Sequence, residues 1–183
     1  MIDPSYFRDQ VTLTTANLVI EPLGPQHFAG VWATVSDPEA RRLAGIHVPY
    51  SEEQVRDYLD ARRSHHDRAD WAILRADDRA HVGQVVLNDL DAHNETMNFR
   101  ITLSSEPSVT GKGFGSEATK EVVRYGLSVV GLHRITLEVV DFNTRAQRVY
   151  GKAGFHSEGL SKEAWLWDGE RSDVIRMAIV NGH

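Results

Sequence analysis

The sequence predicts one mixed α/β domain, a sheet with helices packed on its faces. Three observations predict it. Strand-like and helix-like segments follow one another along the chain; its 183 residues fit one domain of ordinary size; and no internal repeat, low-complexity tract or Pro/Gly/Ser-rich linker offers a seam for a second domain. Hydrophobic residues at 41% and charged residues at 25% are the balance of a chain that buries a core, which excludes the disordered and fibrous classes.

In order, NLVIEPL reads as a strand ended by Pro22 and Gly24. GPQHFAGVWATVSD follows as a short helix with Phe28, Val31, Trp32 and Val35 on one side. SEEQVRDYLDARRSHHDR opens on a capping-box pattern at Ser51, Glu53 and Gln54 and continues as an amphipathic helix. Three strands come next, DWAILRA, HVGQVVLNDL and TMNFRITLS, separated by the turn-like ADDRA and DAHNE, which is an antiparallel meander. SEATKEVVRYGLSVV carries Ala118, Val122, Tyr125 and Val129 as a helical stripe, RITLEVV is a β-branched strand, and NTRAQRVYGKAGF is a short helix. The chain closes with two strands joined at Asp168-Gly169, a common hairpin dipeptide.

Composition narrows the chemistry. With no cysteine, disulfides, thiolate catalysis and cysteine zinc sites are excluded together. Nine histidines are scattered and form no HExxH pattern, so no metal site is expected. A formal charge of −6 disfavours nucleic acid as a partner and suits, weakly, a cationic or amine substrate. No apolar run approaches the ~20 residues that span a bilayer, and MIDPSYFRDQ lacks the blocks of a signal peptide, so a cytoplasmic protein without a membrane partner is expected.

The most informative stretch is VTGKGFGSEATK, Val109 to Lys120, where three glycines alternate and lead into a helix. Glycine is used where φ must be positive or a ligand approaches the main chain. At a helix N-terminus such a loop offers free N–H groups to an anion, and phosphate groups lead the candidates. No Gly-Lys-Ser/Thr completes a P-loop, and Ser116 breaks the dinucleotide spacing. Alone, the glycines also fit a tight strand-to-helix turn.

A second element selects among these readings. In EVVDFNTRAQRVYGKAGF, Asn143 is a good N-cap and Gly154 a good C-terminal stop. Together with GKGFG it resembles the GNAT superfamily of N-acetyltransferases. Members carry an (Arg/Gln)-x-x-Gly-x-Gly/Ala loop and an Asn-x-x-Ala-x-x-x-Tyr-x-x-x-Gly-Phe helix. The helix pattern is complete at Asn143, Ala146, Tyr150, Gly154 and Phe155; the loop has Thr110 in place of Arg or Gln. TTANLVIEPLGPQH and WDGERSDVIRMAIV further resemble the ribosomal-protein-alanine acetyltransferase branch, although Ala16-Asn17 replaces the frequent Glu-Arg. The resemblance covers residues 12–181 as one domain, leaving 1–11 as an N-terminal extension.

The resemblance implies a mostly antiparallel sheet of about six to seven strands with about four helices on its faces. Its central parallel strands, NFRITLS and RITLEVV, are expected to splay and admit acetyl-CoA, the acyl donor. The pantetheine arm is expected on the backbone of Ile101, Thr102 and Leu103, and the pyrophosphate on Gly111, Lys112, Gly113, Phe114, Gly115 and Ser116. Asn143 is expected to touch the arm, and Tyr150 to stand near the CoA sulfur as general acid. Glu138, twelve residues before Tyr150 among apolar neighbours, is the expected base, with the raised pKa such surroundings give a carboxylate. Pairing with Arg134, Arg100 or Arg145 is the alternative, and Glu95, Asp89 or a water chain could serve instead.

The implied activity is direct transfer of an acetyl or longer acyl group to an amine, with no metal. A peptide N-terminus, with a pKa of about 7.7 to 8.0 against about 10.4 for lysine, asks less of a modest base; a small amine is the other candidate. Trp32, Tyr50, Trp71, Trp165 and Trp167 are available to an acceptor pocket. A homodimer is the family expectation, and a noncatalytic acyl-CoA-binding or regulatory domain is the alternative function.

Overall fold

Between Ile135 and Val139 the chain alternates: Ile135, Leu137 and Val139 are buried, whereas Glu138 is exposed. That period of two is the mark of a strand with one face on a core. The computed structural model describes residues 2–182, and within them the chain forms eight strands. They are β1 (Leu13–Thr14), β2 (Leu18–Pro22), β3 (Ala69–Arg75), β4 (His81–Asp91), β5 (Thr96–Leu103), β6 (Arg134–Val140), β7 (His156–Trp167) and β8 (Glu170–Val180). One sheet holds them in the order β1-β2-β3-β4-β5-β6-β8-β7, antiparallel except between β5 and β6. The expected seven strands are β2 to β8. The eighth, β1, has two residues, too few to alternate.

Among the described residues, six α-helices accompany the sheet: α1 (Ser5–Arg8), α2 (Phe28–Ser36), α3 (Pro38–Ala44), α4 (Glu52–Ala61), α5 (Phe114–Tyr125) and α6 (Thr144–Ala153). The four expected helices are present, and α1 and α3 are additional. Capping chemistry sets their ends. In α4, Ser51 Oγ accepts from Gln54 N at 3.1 Å while Gln54 Oε1 accepts from Ser51 N at 2.8 Å, the expected capping box. In α6, Asn143 Oδ1 accepts from Ala146 N at 3.1 Å, and Gly154 ends the helix at φ 105°. In α3, Asp37 Oδ2 accepts from Ala40 N at 2.7 Å, Pro38 occupies the first turn, and Gly45 closes the helix at φ 70°.

Helices lie on both faces. The main core gathers Trp71, Leu87, Phe99 and Ile135 from the strands with Ala118, Val122 and Tyr150 from α5 and α6. A smaller core on the other face joins Val31, Val55 and Leu59 of α2 and α4 to Ala72 and Leu74 of β3, with the predicted stripe of Phe28, Trp32 and Val35 packed against it. Buried Asp70 fixes α4 to β3, accepting from Tyr58 Oη at 2.7 Å, Arg68 Nη2 at 2.7 Å and Arg62 Nη1 at 3.2 Å. Among the described residues, no helix is long and apolar enough to cross a membrane.

The parallel seam of the sheet is short, because β5 pairs with β6 only at Thr96, Met97 and Asn98. Beyond Asn98 the strands part, although β5 stays paired to β4 as far as Leu103 and β6 to β8 as far as Val140. At the N-terminus, Ile2 and Phe7 are buried in the main core. Phe7→Ala therefore is expected to cost about 3–5 kcal/mol by urea unfolding; a loss under about 1 kcal/mol would show that the segment packs without contributing.

Candidate functional site

Where β5 and β6 part, a cleft of about 1670 Å³ opens. Phe99 to Ser104 line one wall and Thr136 to Val140 the other. The β6-facing edge of β5 thus lacks a neighbouring strand through Ile101, Thr102 and Leu103, so backbone polar groups in mid-sheet are left for a ligand.

The glycine loop closes one end. Gly111 and Gly113 adopt φ of 75° and 83°, the left-handed region, and a Cβ on either would meet nothing within 4 Å. These two glycines are set by backbone conformation, and the space above them is open. Gly115 differs: a Cβ there would come 2.7 Å from Leu103 Cδ1, so its role is the close approach of α5 to β5. The N–H groups from Gly111 to Ser116 have no partner among the described residues. Glu117, the acidic residue of the first turn, faces away and accepts from Asn17 N at 2.8 Å and from Thr15 Oγ1. An outward N–H nest at a helix N-terminus is the chemistry of phosphate binding. Thr110 supplies a tie instead of charge, its Oγ1 donating to Ser105 O at 3.2 Å.

Tyr150, on α6, is 8% exposed and lines the cleft. Its ring packs edge-on against Phe99 at 6.1 Å and Phe155 at 6.0 Å. Burial pushes the phenol up to about 12, against the opposing charge of Arg100. The hydroxyl therefore keeps its proton throughout the neutral range and can give it. Asn143 also lines the cleft, with its Oδ1 engaged in capping α6.

Glu138 is on the cleft wall but not in apolar surroundings. Strand alternation turns Leu137 and Val139 to the core and Glu138 to the opposite, open face, where it is exposed. Arg134 pairs with Glu158 instead, Nη1 to Oε1 2.7 Å, and Glu138 makes no ion pair among the described residues. Asp89 lines the cleft at an irregularity of β4, whereas Glu95 does not line it. Lys112 is likewise absent from the lining, alone among the expected binding residues.

The cleft is also lined by α3, which sequence reasoning missed although Asp37-Pro38 and Gly45 are ordinary start and stop signals. Three ties hold it across the cleft. Asp37 Oδ1 accepts from Ser105 Oγ at 2.9 Å, the Arg42 guanidinium stacks over Phe142 at 4.3 Å, and the Trp165 ring lies where a Cβ on Gly45 would be, 2.6 Å from it. Of the aromatic residues expected near an acceptor, Trp165 lines the cleft. Trp71 is core, Trp32 stacks on Phe28, Trp167 packs on His47 and Tyr50 is exposed on the loop before α4. Among the described residues, no group of three or more His, Asp or Glu could hold a metal ion.

The model of the acetyltransferase (GNAT) domain matches residues 17–156. The chain belongs to this family. Spermidine N(1)-acetyltransferase of Escherichia coli (strain K12) is 30% identical over 114 residues, 62% of this chain and 60% of that protein, so the match spans less than two thirds of the relative. The uncharacterized N-acetyltransferase YoaA of Bacillus subtilis (strain 168) is 26% identical over 171 residues, 92% of this chain and 96% of its own. In fold, this GNAT domain is similar to the spermidine N-acetyltransferase of Vibrio cholerae crystallised with CoA and spermine, at TM-score 0.81 and 22% identity, covering 91% of this chain and 97% of that one. Neither sequence relative is named for a ribosomal-protein acceptor, the branch suggested by the terminal segments.

The glycines separate binding from stability. Gly113→Ala, strained at φ 83°, is expected to cost about 1–2 kcal/mol and to weaken CoA binding at least tenfold by calorimetry. Gly131, also at φ 83° with open surroundings but outside the cleft, is the control, because its Ala variant should lose similar stability and keep CoA affinity.

Proposed function

We propose that this GNAT domain is an acetyl-CoA-dependent N-acetyltransferase that transfers the acetyl group directly to a primary amine. One observation carries the reading: an unpaired strand edge, an open N–H nest and a buried, protonated phenol line a single continuous cleft. CoA fits that arrangement, and when bound it supplies the acetyl group as a thioester. The edge of β5 at Ile101, Thr102 and Leu103 pairs with the amide-bearing arm as a strand would. The amides from Gly111 to Ser116 hold the pyrophosphate, aided by the positive end of α5.

Each chemical requirement of transfer then has a side chain. Tyr150 gives its proton to the departing sulfur, because its hydroxyl is still protonated far above neutral pH. Glu138 takes a proton from the amine, directly or through one water, from the exposed side of the same gap. The amine enters between α3 and the β7–β8 hairpin, where Leu43 and Trp165 face the cleft. The likeness to spermidine acetyltransferases supports an amine acceptor.

Tyr150→Phe keeps the ring packing and removes the donor. It is expected to lower kcat by about 10²-fold or more while the Kd for CoA changes less than threefold, read by thiol release and calorimetry across an amine panel. An unchanged kcat would assign Tyr150 to packing alone. CoA binding without acetylation of any amine would instead make the chain a noncatalytic binding domain.

A further inference from the structure

The face of the sheet beside this gap carries charges that make no hydrogen bond or ion pair among the described residues, although the charge of Arg176 also acts on the Glu158 carboxyl. Strand register places Arg100, Glu138 and Arg176 together on the face opposite the main core, and all three are exposed. Glu138 and Arg176 are directly opposed across β6 and β8. Side chains in that relation have Cβ atoms about 4.5–5.5 Å apart and ordinarily pair. These two do not, because the guanidinium of Arg176 extends the other way, over β7, where Nη2 would be 2.8 Å from a Cβ on Gly159. Gly159 thus leaves the space in which the guanidinium rests. Arg100 stands across the gap, near enough to Tyr150 for its charge to act on the phenol.

The neighbouring charges are already engaged. Arg134 pairs with Glu158, Arg42 with Glu39, and Asp37 caps α3. The remaining unpaired cations of the cleft stand on α6, which packs on the opposite, main-core face. Beside the acceptor path there are therefore two separated cations, Arg100 and Arg176, with Glu138 between them and Asp89 as a second acid on β4. The local sign is mixed although the chain as a whole carries −6. A polyamine presents ammonium groups at both ends and would set one of them against an arginine. A molecule with an ammonium and a carboxylate a few bonds apart meets both signs.

Building on the acetyltransferase reading, we propose that the acceptor is a small zwitterionic amine of the amino-acid type. Glu138 holds its ammonium end, and Arg176, with Arg100 across the gap, holds its carboxylate. Arginine suits this because its planar fork matches a carboxylate in a bidentate pair. In the transfer one N–C bond forms and one C–S bond breaks. The ammonium gives up two protons: one passes through Glu138 to solvent, and the other replaces the proton that Tyr150 gives to sulfur.

The test compares amino acids with their decarboxylated amines, and with spermidine, by calorimetry on protein saturated with CoA, where no turnover occurs. At least one amino acid is expected to bind tenfold or more tightly than its amine. Arg176→Gln should cut that preference below threefold without changing the affinity for the amine, and the same loss should appear in KM instead of kcat. A urea melt confirms that the variant is folded. The proposal is overturned if spermidine or the decarboxylated amines bind as well as every amino acid, if no amino acid binds, or if Arg176→Gln weakens both members of a pair alike. An amino acid that binds but is never acetylated defeats the acetyltransferase reading alone, whereas acetylation of amines without preference for a carboxylate defeats this proposal alone.

Discussion

The parting of β5 from β6 after three residue pairs is the constraint on which the site depends. Each strand has a long antiparallel partner on its other side, β4 for β5 and β8 for β6, so the sheet is two well-bonded halves joined at a short seam. Past the seam, backbone N–H and C=O groups of β5 face a gap instead of a strand, which is costly in mid-sheet unless water or a ligand satisfies them. The helix that follows each half, α5 after β5 and α6 after β6, then delivers its contribution to the same gap. From α5 comes the N–H nest, and from α6 the Tyr150 phenol.

Burial and exposure divide the chemistry between the two faces. On the core side, Phe99 and Phe155 enclose Tyr150, and that desolvation keeps its proton in place. On the open side, strand alternation puts Glu138 in contact with water, where protons can leave. The groups proposed to give and to take protons, Tyr150 and Glu138, are thus on opposite faces of one sheet, reached through one gap. α3 lies across the cleft, tied to the loop by Ser105, to the β6–α6 connection by Phe142 and to the hairpin by Trp165.

Much of this is legible in the sequence where local chemistry decides. Ser51 and Gln54, Asn143 and Gly154 act as the caps their positions announce, and the β-branched run from Arg134 to Val140 is β6 residue for residue. The glycine motif is legible too, but not the division of labour within it: that Gly115 answers to Leu103, while Gly111 and Gly113 answer to φ, depends on how α5 meets β5. α3 is missed because its seven residues show little apolar periodicity, although its caps are plain. The surroundings of Glu138 are misread for a different reason. Apolar neighbours in sequence lie on the other face of a strand, so they report nothing about what encloses the residue between them. Trp71 and Trp165 make the same point, one in the core and one on the cleft, with nothing in their local sequence to tell them apart.

The most direct measurement is amide hydrogen exchange with and without acetyl-CoA, read at single-residue resolution. If the parted edge and the loop together hold the acyl donor, protection should rise at Ile101–Leu103 and from Gly111 to Ser116, and stay unchanged at β2 and β3, which lie away from the gap. Protection at neither segment on addition of saturating acetyl-CoA, or protection confined to residues outside the cleft, would contradict the account.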